Sequence, residues 1–508
     1  MARNHSVDMT PSKADVYRTF RGIDRSRDRA AMDTGKEQHL YALENAFCDW
    51  RGRIVKEPDT HRRKGSDDND KVQTMKFYSR EGLCWSQKDG GGVTLKSDRG
   101  HIYSSAFTNN SIASMTLFLG KVYVFSAGQD MKTYDGTEWA DGGASIQPAF
   151  GTALQNRLVV SGIPKAPTEV HISRVRNGNV FEKEEELNST SVTKAVTIDV
   201  RNLIGAAEEI NGIGMFETNR LAVFTHDRCL VYKIDENLNN ITIDENANIH
   251  VGCVSHRTIT AANNSLLFCS RYGIHSVTRS DANGIYMTAN VLSSKVEDLY
   301  RELVKSVENH DEINAVFDPD EDQYHIFFPQ YGGASARRLT ITMRGKEELF
   351  TWSEGTHLKA QCGEFLAGQL VYGSNGGAHN VLLRAITYKG LQDTSVKDAS
   401  GDMDLWLPII WHGSTTETKE SRAVVIQASG SGTLEVSLYD DGSQLLEEFT
   451  VEIDDSGSDD NNFSDNILFR QYEMPFFARY RGLQIRIQSS STGPLEIMAI
   501  AIDLKKES

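Results

Sequence analysis

No apolar run in this chain approaches the roughly 20 residues that a membrane-spanning helix needs, so no direct membrane insertion is expected. The start, MARNHSVDMTPSKAD, has no apolar core segment, and no secretory signal is expected. Cysteine is scarce: Cys48, Cys84, Cys229, Cys253, Cys269 and Cys362 show no C-x-x-C spacing, and several sit inside apolar strand patterns. That argues against a disulfide framework and for buried small hydrophobes in a reducing compartment. Basic residues are also short, 54 Lys and Arg against 70 Asp and Glu, for a formal charge of −16. Gripping phosphate requires dense Lys and Arg, so the balance disfavours a nucleic-acid clamp, although nucleic acid could still pass without sticking. The 14 histidines form no H-x-x-x-H or H-E-x-x-H, and neither G-x-S-x-G nor a phosphate-binding G-x-x-x-x-G-K-[ST] occurs. The sequence therefore offers no catalytic, cofactor-binding or metal-ligating set; no enzyme activity and no cofactor are expected.

What is present is the composition of a soluble globular protein, 39% hydrophobic and 24% charged, over 508 residues, enough for two to four domains. Within it one pattern recurs about six times: a polar turn feeding a short, almost wholly apolar strand. The copies are LFLGKVYVFS from Leu117, LQNRLVVSG from Leu154, FETNRLAVFT from Phe216, ANNSLLFCS from Ala262, DEDQYHIFF from Asp320 and FLAGQLVYGS from Phe365. They lie roughly 36 to 63 residues apart, each followed by a second strand-like stretch, which suits four-stranded propeller blades. Apolar residues on both faces of these strands predict cover on both sides. Helical spacing of Leu292, Val296, Leu299, Leu303 and Val307 predicts one inserted helix at about 291–308, with Ser293 or Ser294 as its N-cap.

The fold class expected is all-β: a β-propeller of about six blades (71–395), a C-terminal β-sandwich (401–508) and an N-terminal extended arm (1–70). Residues 72–108 read as hairpins ahead of the repeat, with Asp89-Gly90-Gly91-Gly92 as a turn. In the arm, Gly35–Cys48 can form a short helix presenting Leu40, Leu43 and Phe47, and the arm's few apolar residues must dock elsewhere. Its removal, residues 1–60, is expected to leave the propeller folded. Strict alternation marks the sandwich: Leu434, Val436 and Leu438; Phe449, Val451 and Ile453; Leu483, Ile485 and Ile487; Met498, Ile500, Ile502 and Leu504.

Several local clusters read more simply as architecture. Asp318, Asp320 and Asp322 have the alternation of a calcium loop without its Gly and distal Glu, and Pro and Asp turn chemistry accounts for them. Tyr134-Asp135-Gly136-Thr137-Glu138-Trp139 is faintly like the Asp-boxes of sialidase propellers, which are structural, and no spacing singles out a converging Arg, Tyr and acidic set. The acidic runs Asp454–Asp465 and Glu182, Glu184, Glu185 and Glu186 read as solvated loops. The sequons at Asn188 and Asn263 carry no meaning without secretion.

The stretch from Phe20, FRGIDRSRDRAAMDTGKEQHLYALENAFCDWRGRIVKEPDTHRR, resembles the opening of the tail nozzle proteins of short-tailed bacteriophages, in Gly22, Gly35, Asn45, Gly52 and Ile54. NRLVVSGIPKAPTEVHISRVRNGNVFE from Asn156, VGCVSHRTITAANNSLLFCSRYGIHSVTR from Val251 and PFFARYRGLQIRIQSSSTGPLEIMAIAIDL from Pro475 resemble two blades and the closing sandwich of packaged-DNA stabilisation proteins. The likeness runs in order along most of the chain, but the arm departs from it: Val55-Lys56-Glu57 stands where that family more often has Arg-Pro or Arg-Gly. The resemblance implies a homo-hexameric, late structural protein of the virion tail, assembled in the host cytoplasm. It would sit at the head-tail connector below the portal and head-to-tail adaptor ring, with tail fibres or tailspikes as neighbours. Double-stranded DNA would be retained and then conducted through the lumen without specific binding. The alternative from another class is a propeller glycan-binding or glycan-depolymerising tail component, which a central pocket with converging Arg, Tyr and Glu would favour.

Overall fold

The computed structural model describes residues 14–504, except 27–37, 64–69, 183–193, 244–248, 280–286, 330–335, 345–349, 375–380, 385–391, 455–469 and shorter gaps of one to three residues. Its dominant feature is a closed ring of seven antiparallel blades. Their innermost strands are Lys71–Phe77, Ser114–Phe118, Phe150–Leu154, Gly212–Phe216, Thr260–Ala262, Asn314–Asp318 and Ala360–Leu366. Each packs beside the next, and the last returns to the first, which makes the ring a β-propeller. The count of about six becomes seven because the hairpins over 72–108 are themselves a blade, with strands Lys71–Phe77, Leu83–Asp89, Gly92–Ser97 and Ile102–Phe107.

The recurring apolar strand is the second from the axis in blades two to seven. Arg157–Ser161 and Gln323–Phe328 are buried at every position, because each blade is sandwiched between its neighbours. The turn before it is a tight hairpin. Phe118 pairs with Lys121 across Leu119 and Gly120, whose φ values of 49° and 77° are those of a two-residue turn matched to strand twist. Blade one escapes the pattern because its second strand reads LCWSQKD, with Ser86, Gln87 and Lys88 where the other copies are apolar.

The N-terminal segment is extended, but it docks on its own chain. Over its described part, the helix expected at Gly35–Cys48 is replaced by three short strands, Gln38–Leu40, Ala42–Glu44 and Ala46–Cys48. Leu40, Leu43 and Phe47 still turn inward, and pairing to neighbouring strands outweighs helical spacing in so short a stretch. Ala14–Arg18 and Ile54–Lys56 add to Leu495–Leu504 in one sheet of the sandwich. Ala42–Glu44 lies between Met403–Trp406 of the other sheet and Thr351–Gly355, the outer strand of blade six. Thr60–Arg63 then becomes the fourth strand of blade seven, between Val381–Arg384 and Gln392–Asp398. Residues from the start of the chain thus close the ring and join it to the sandwich. Removing residues 1–60 would take away the strands that join the sandwich and would cut Thr60 from the strand that completes blade seven.

The sandwich is organised by one long strand, Lys419–Asp440, which pairs with Leu495–Leu504 and Arg470–Pro475 in its first half. In its second half it pairs with Leu445–Asp454 and Leu483–Ser489. It changes sheets at Gly430 and Gly432. A register shift opposite Gln427 and Ala428 moves the core face of the last strand, so Leu495 and Ile497 are buried along with Ile500 and Ile502 while Met498 is only half-buried. The inserted helix is present as a 3-10 turn, Ser293–Val296, followed by Glu297–Ser306. Leu299, Tyr300 and Leu303 pack into the core shared by blades five and six and the sandwich. Neither serine caps it: the Ser293 hydroxyl accepts the Ile274 N–H instead (3.0 Å).

Candidate axial site

At one mouth of the ring, two 3-10 turns lead into the inner strands of blades five and six. The turn His256–Thr258 is capped by the Ser255 hydroxyl, which accepts the Arg257 N–H (3.2 Å). The turn His310–Glu312 is capped by Asn309, whose side chain accepts the Asp311 N–H (3.1 Å). The Ser255 hydroxyl also donates to the Asp311 carbonyl (3.2 Å), tying the turns together. These caps hold His256, Arg257, Asp311 and Glu312 around one opening.

The opening is a cavity of about 620 Å³, with Ile112, Phe150, Ile163 and Ile210 as apolar wall and Ser111, Gln129, Asn211, His256, Arg257 and Asp311 as polar wall. The His256 ring stacks on Phe150, centroids 4.6 Å apart, and its Nδ1 accepts the Ile213 N–H (3.4 Å). Burial and the adjacent Arg257 charge push its pKa down to about 4, so it stays neutral. Burial pushes the Asp311 carboxyl above its ordinary value, opposed by the charges of His226, Arg257 and His310. His226 is pushed down, mainly by burial, and the Asn211 amide donates to its Nδ1 (2.5 Å).

Beside this cavity lies a recess of about 130 Å³ lined by Lys71, Gln73, Lys88, Arg257, Glu312 and Gln361. The Arg257 guanidinium donates through Nη2 to the Gln73 carbonyl, while its buried Nε meets no acceptor. A third space of about 500 Å³ follows the axis, where Lys76 pairs with Glu364 (2.7 Å). Perturbed acids and bases lining one cavity are a frequent mark of a working site. The chemistry offered is recognition: hydrogen-bond donors, a fixed cation and a neutral aromatic stack.

The two described clusters weighed from sequence, at Asp318–Asp322 and Tyr134–Trp139, do not line this mouth. Asp318 accepts the N–H groups of Asp320 (2.9 Å) and Glu321 (3.3 Å), and Arg344 pairs with Glu321 (3.3 Å) and Asp322 (3.4 Å), a braced hairpin. Asp135 accepts from Thr137 and Glu138, which holds its carboxyl down to about 2. Trp139 lies against Tyr134 and donates to the His101 carbonyl (3.2 Å), so the box-like turn ties blades one and two. Residues 183–193 and 455–469, with most of both acidic runs and the Asn188 sequon, lie outside the described residues, as do Asn263 and Asn264. All six cysteines are buried thiols; burial pushes Cys48, Cys269 and Cys362 up to about 12. Among the described residues no group of His, Cys, Asp and Glu is placed to hold a metal, and no helix is long and apolar enough to cross a membrane.

Sequence reasoning missed the mouth because its residues come from all seven blades. One local signal existed: the polar Ser86-Gln87-Lys88 in the only blade that breaks the repeat.

Of the N-terminal positions that carry the phage-tail likeness, Gly35 lies outside the described residues, and Gly22, Asn45, Gly52 and Ile54 fall at the joint between propeller and sandwich. Gly22 has φ 68°, and a Cβ there would lie 2.6 Å from the Trp352 N and O atoms. Gly52 has φ 76°, and its Cβ would meet the Thr19 Cα at 2.5 Å. Both places demand glycine. The Asn45 side chain donates to the Asp402 carbonyl (2.8 Å) and accepts the Thr356 N–H (2.9 Å). Ile54 is wholly buried.

No protein-family model and no curated protein matches this sequence. Among solved structures it is similar to virginiamycin B lyase from Staphylococcus aureus, at 11% identity and a TM-score of 0.39, covering 64% of this chain and 97% of that one. Hsv2 of Kluyveromyces lactis is similar at 11% identity and a TM-score of 0.33, covering 56% and 98%. The extracellular domain of a two-component system from B. thetaiotaomicron matches at 9% identity and a TM-score of 0.40, covering 91% of this chain and 60% of that one. Likeness this remote says nothing of activity, and the closed ring of blades defines the propeller on its own.

Proposed function

We propose that this chain is a structural tail nozzle, or hub, of a short-tailed bacteriophage: a non-enzymatic subunit that assembles as a hexamer below the portal-adaptor ring, retains packaged DNA and conducts it during ejection. The observation that carries this reading is the ordered likeness to nozzle and packaged-DNA stabilisation proteins, whose Gly22, Asn45, Gly52 and Ile54 all sit at the joint that fuses the chain's two parts. A subunit fused through shared strands suits a wall that bears load. The DNA path would run between copies, since axial spaces of about 620 and 500 Å³ are far too small for a duplex. A net charge of −16 suits a lumen that must not hold phosphate. A heterologous contact between copies closes into a ring when its rotation allows.

The glycan-cleaving alternative finds less support. Among the described residues lining the 620 Å³ cavity there is one arginine, Arg257, and no tyrosine, where sialidase-type chemistry needs an arginine cluster and a tyrosine nucleophile. Native mass spectrometry and negative-stain imaging of the purified chain, with and without adaptor rings, test the proposal. Six copies seated on the adaptor are expected. A stable monomer that ignores the adaptor and cleaves polysaccharide would sink it.

A further inference from the structure

We propose that Glu44 makes the joint between propeller and sandwich proton-sensitive: the strand Ala42–Glu44 pairs tightly with both parts when this carboxyl is neutral and loosens when it ionises. The inference does not rest on the tail-nozzle reading.

Register places the group. Ala42–Glu44 pairs with Thr351–Gly355 of blade six on one side and with Met403–Trp406 of the sandwich on the other. The residue opposite Glu44 is Glu354 in the first pair and Asp404 in the second. Three carboxylates therefore stand in one row across three strands, and directly opposed like charges destabilise a sheet. The row falls at a critical place, because the ladder to blade six consists of the Glu44–Glu354 position alone, with the Asn45 N–H donating to the Glu354 carbonyl (2.8 Å).

The flanking carboxylates have partners. Arg337 pairs with Glu354 and with Glu302 (3.0 Å) of the inserted helix. Arg486 donates to Asp404 through two nitrogens, and the Gln488 amide donates to the same carboxylate (3.3 Å). Glu44 differs: among the described residues its half-buried carboxylate makes no hydrogen bond and no ion pair. Arg337 and Arg25 offset part of the repulsion without reaching ion-pair distance, and Arg25 lies over the Tyr41 ring (5.8 Å).

Burial is the largest influence on the Glu44 carboxyl, followed by Glu354 and Asp404, and the balance holds it above the ordinary 4.5. A carboxyl raised on folding binds its proton more tightly in the folded chain than in the unfolded one. Its contribution is therefore fully present below pH 4.5 and is lost as pH rises through the raised value. The sign is opposite to that of His256 and His275, which weaken the propeller in acid. Leu40, Leu43 and Ala46 around Glu44 are anchored in the shared apolar core, which confines the loosening to local opening of the strand.

Hydrogen exchange of the full-length chain, read by mass spectrometry on peptides spanning 38–48, tests this by comparing wild type with Glu44→Gln, which keeps the shape and removes the charge. At about pH 8 the variant should exchange about two- to fivefold more slowly there, the scale of relieving cross-strand like-charge opposition. The gap should close as pH falls to about 5, where the wild-type carboxyl gains its proton. Glu44→Asp, which keeps the charge, should show no such gain. Peptides over Arg220–Phe224 in blade four serve as the reference and should not differ between variants. No gap at the higher pH, a gap that stays constant as pH falls, or an equal gap in blade four would overturn the proposal.

Discussion

The joint between propeller and sandwich and the axial mouth both gather charged residues, but they arrange them differently. At the joint four guanidiniums meet carboxylates: Arg338 with Glu57, Arg337 with Glu354 and Glu302, Arg53 with Asp49 and Glu496, and Arg486 with Asp404. At the mouth, Lys71, Lys88 and Arg257 share one recess with the single carboxylate of Glu312. The joint is also anchored by glycines that tolerate no side chain, whereas the mouth is shaped by bulges. The contrast separates polar groups that pair across distant parts of the chain from polar groups that line an open space.

The sharpest way to break the comparison is to remove the joint. Deleting residues 1–63 takes away the fourth strand of blade seven and every N-terminal strand of the sandwich. That loss exceeds the roughly 5–15 kcal/mol that stabilises an ordinary domain. The expected product is insoluble or lacks a cooperative melt by circular dichroism; a well-folded propeller would show the joint to be ornament. Single joint residues come next. Gly22→Ala places a Cβ against the Trp352 backbone at positive φ and should cost about 3 kcal/mol in denaturant unfolding. Asn45→Ala removes bonds to Asp402 and Thr356 and should cost about 2 kcal/mol.

The propeller also carries a pH signature. His256 and His275 are buried neutral, each pushed down to about 4 mainly by loss of hydration. Between that value and the ordinary 6.5 the unfolded chain binds protons that the folded chain refuses. Stability is therefore fully present above pH 6.5 and falls as pH drops toward 4, by up to about 1.4 kcal/mol per pH unit for each histidine. Urea melts across that window should show the slope, and replacing His275 with Gln should reduce it.

Much of the architecture was readable because burial leaves a local trace. Strands such as Arg157–Ser161, covered on both faces, are apolar throughout, and the one amphipathic helix showed its face in Leu299 and Leu303. Blade one was harder to read because Ser86, Gln87 and Lys88 interrupt its second strand. The N-terminal strands were hidden for another reason. Three-residue strands such as Ala42–Glu44 have no periodicity to recognise, and their partners lie more than 300 residues away. The axial site was least legible, since Lys88, Arg257 and Gln361 come together only when the ring closes.

Composition and local pattern by themselves determined an all-β chain with repeated two-sided strands, an alternating sandwich and an acidic balance of 70 Asp and Glu against 54 Lys and Arg. They could do so because solvent exclusion acts residue by residue and leaves its period in the sequence. Only the tertiary structure decided that there are seven blades, that the first residues close the ring, and that three cations face one another at its mouth. Those are long-range pairings, fixed by which edges remain to be satisfied once the local strands have formed.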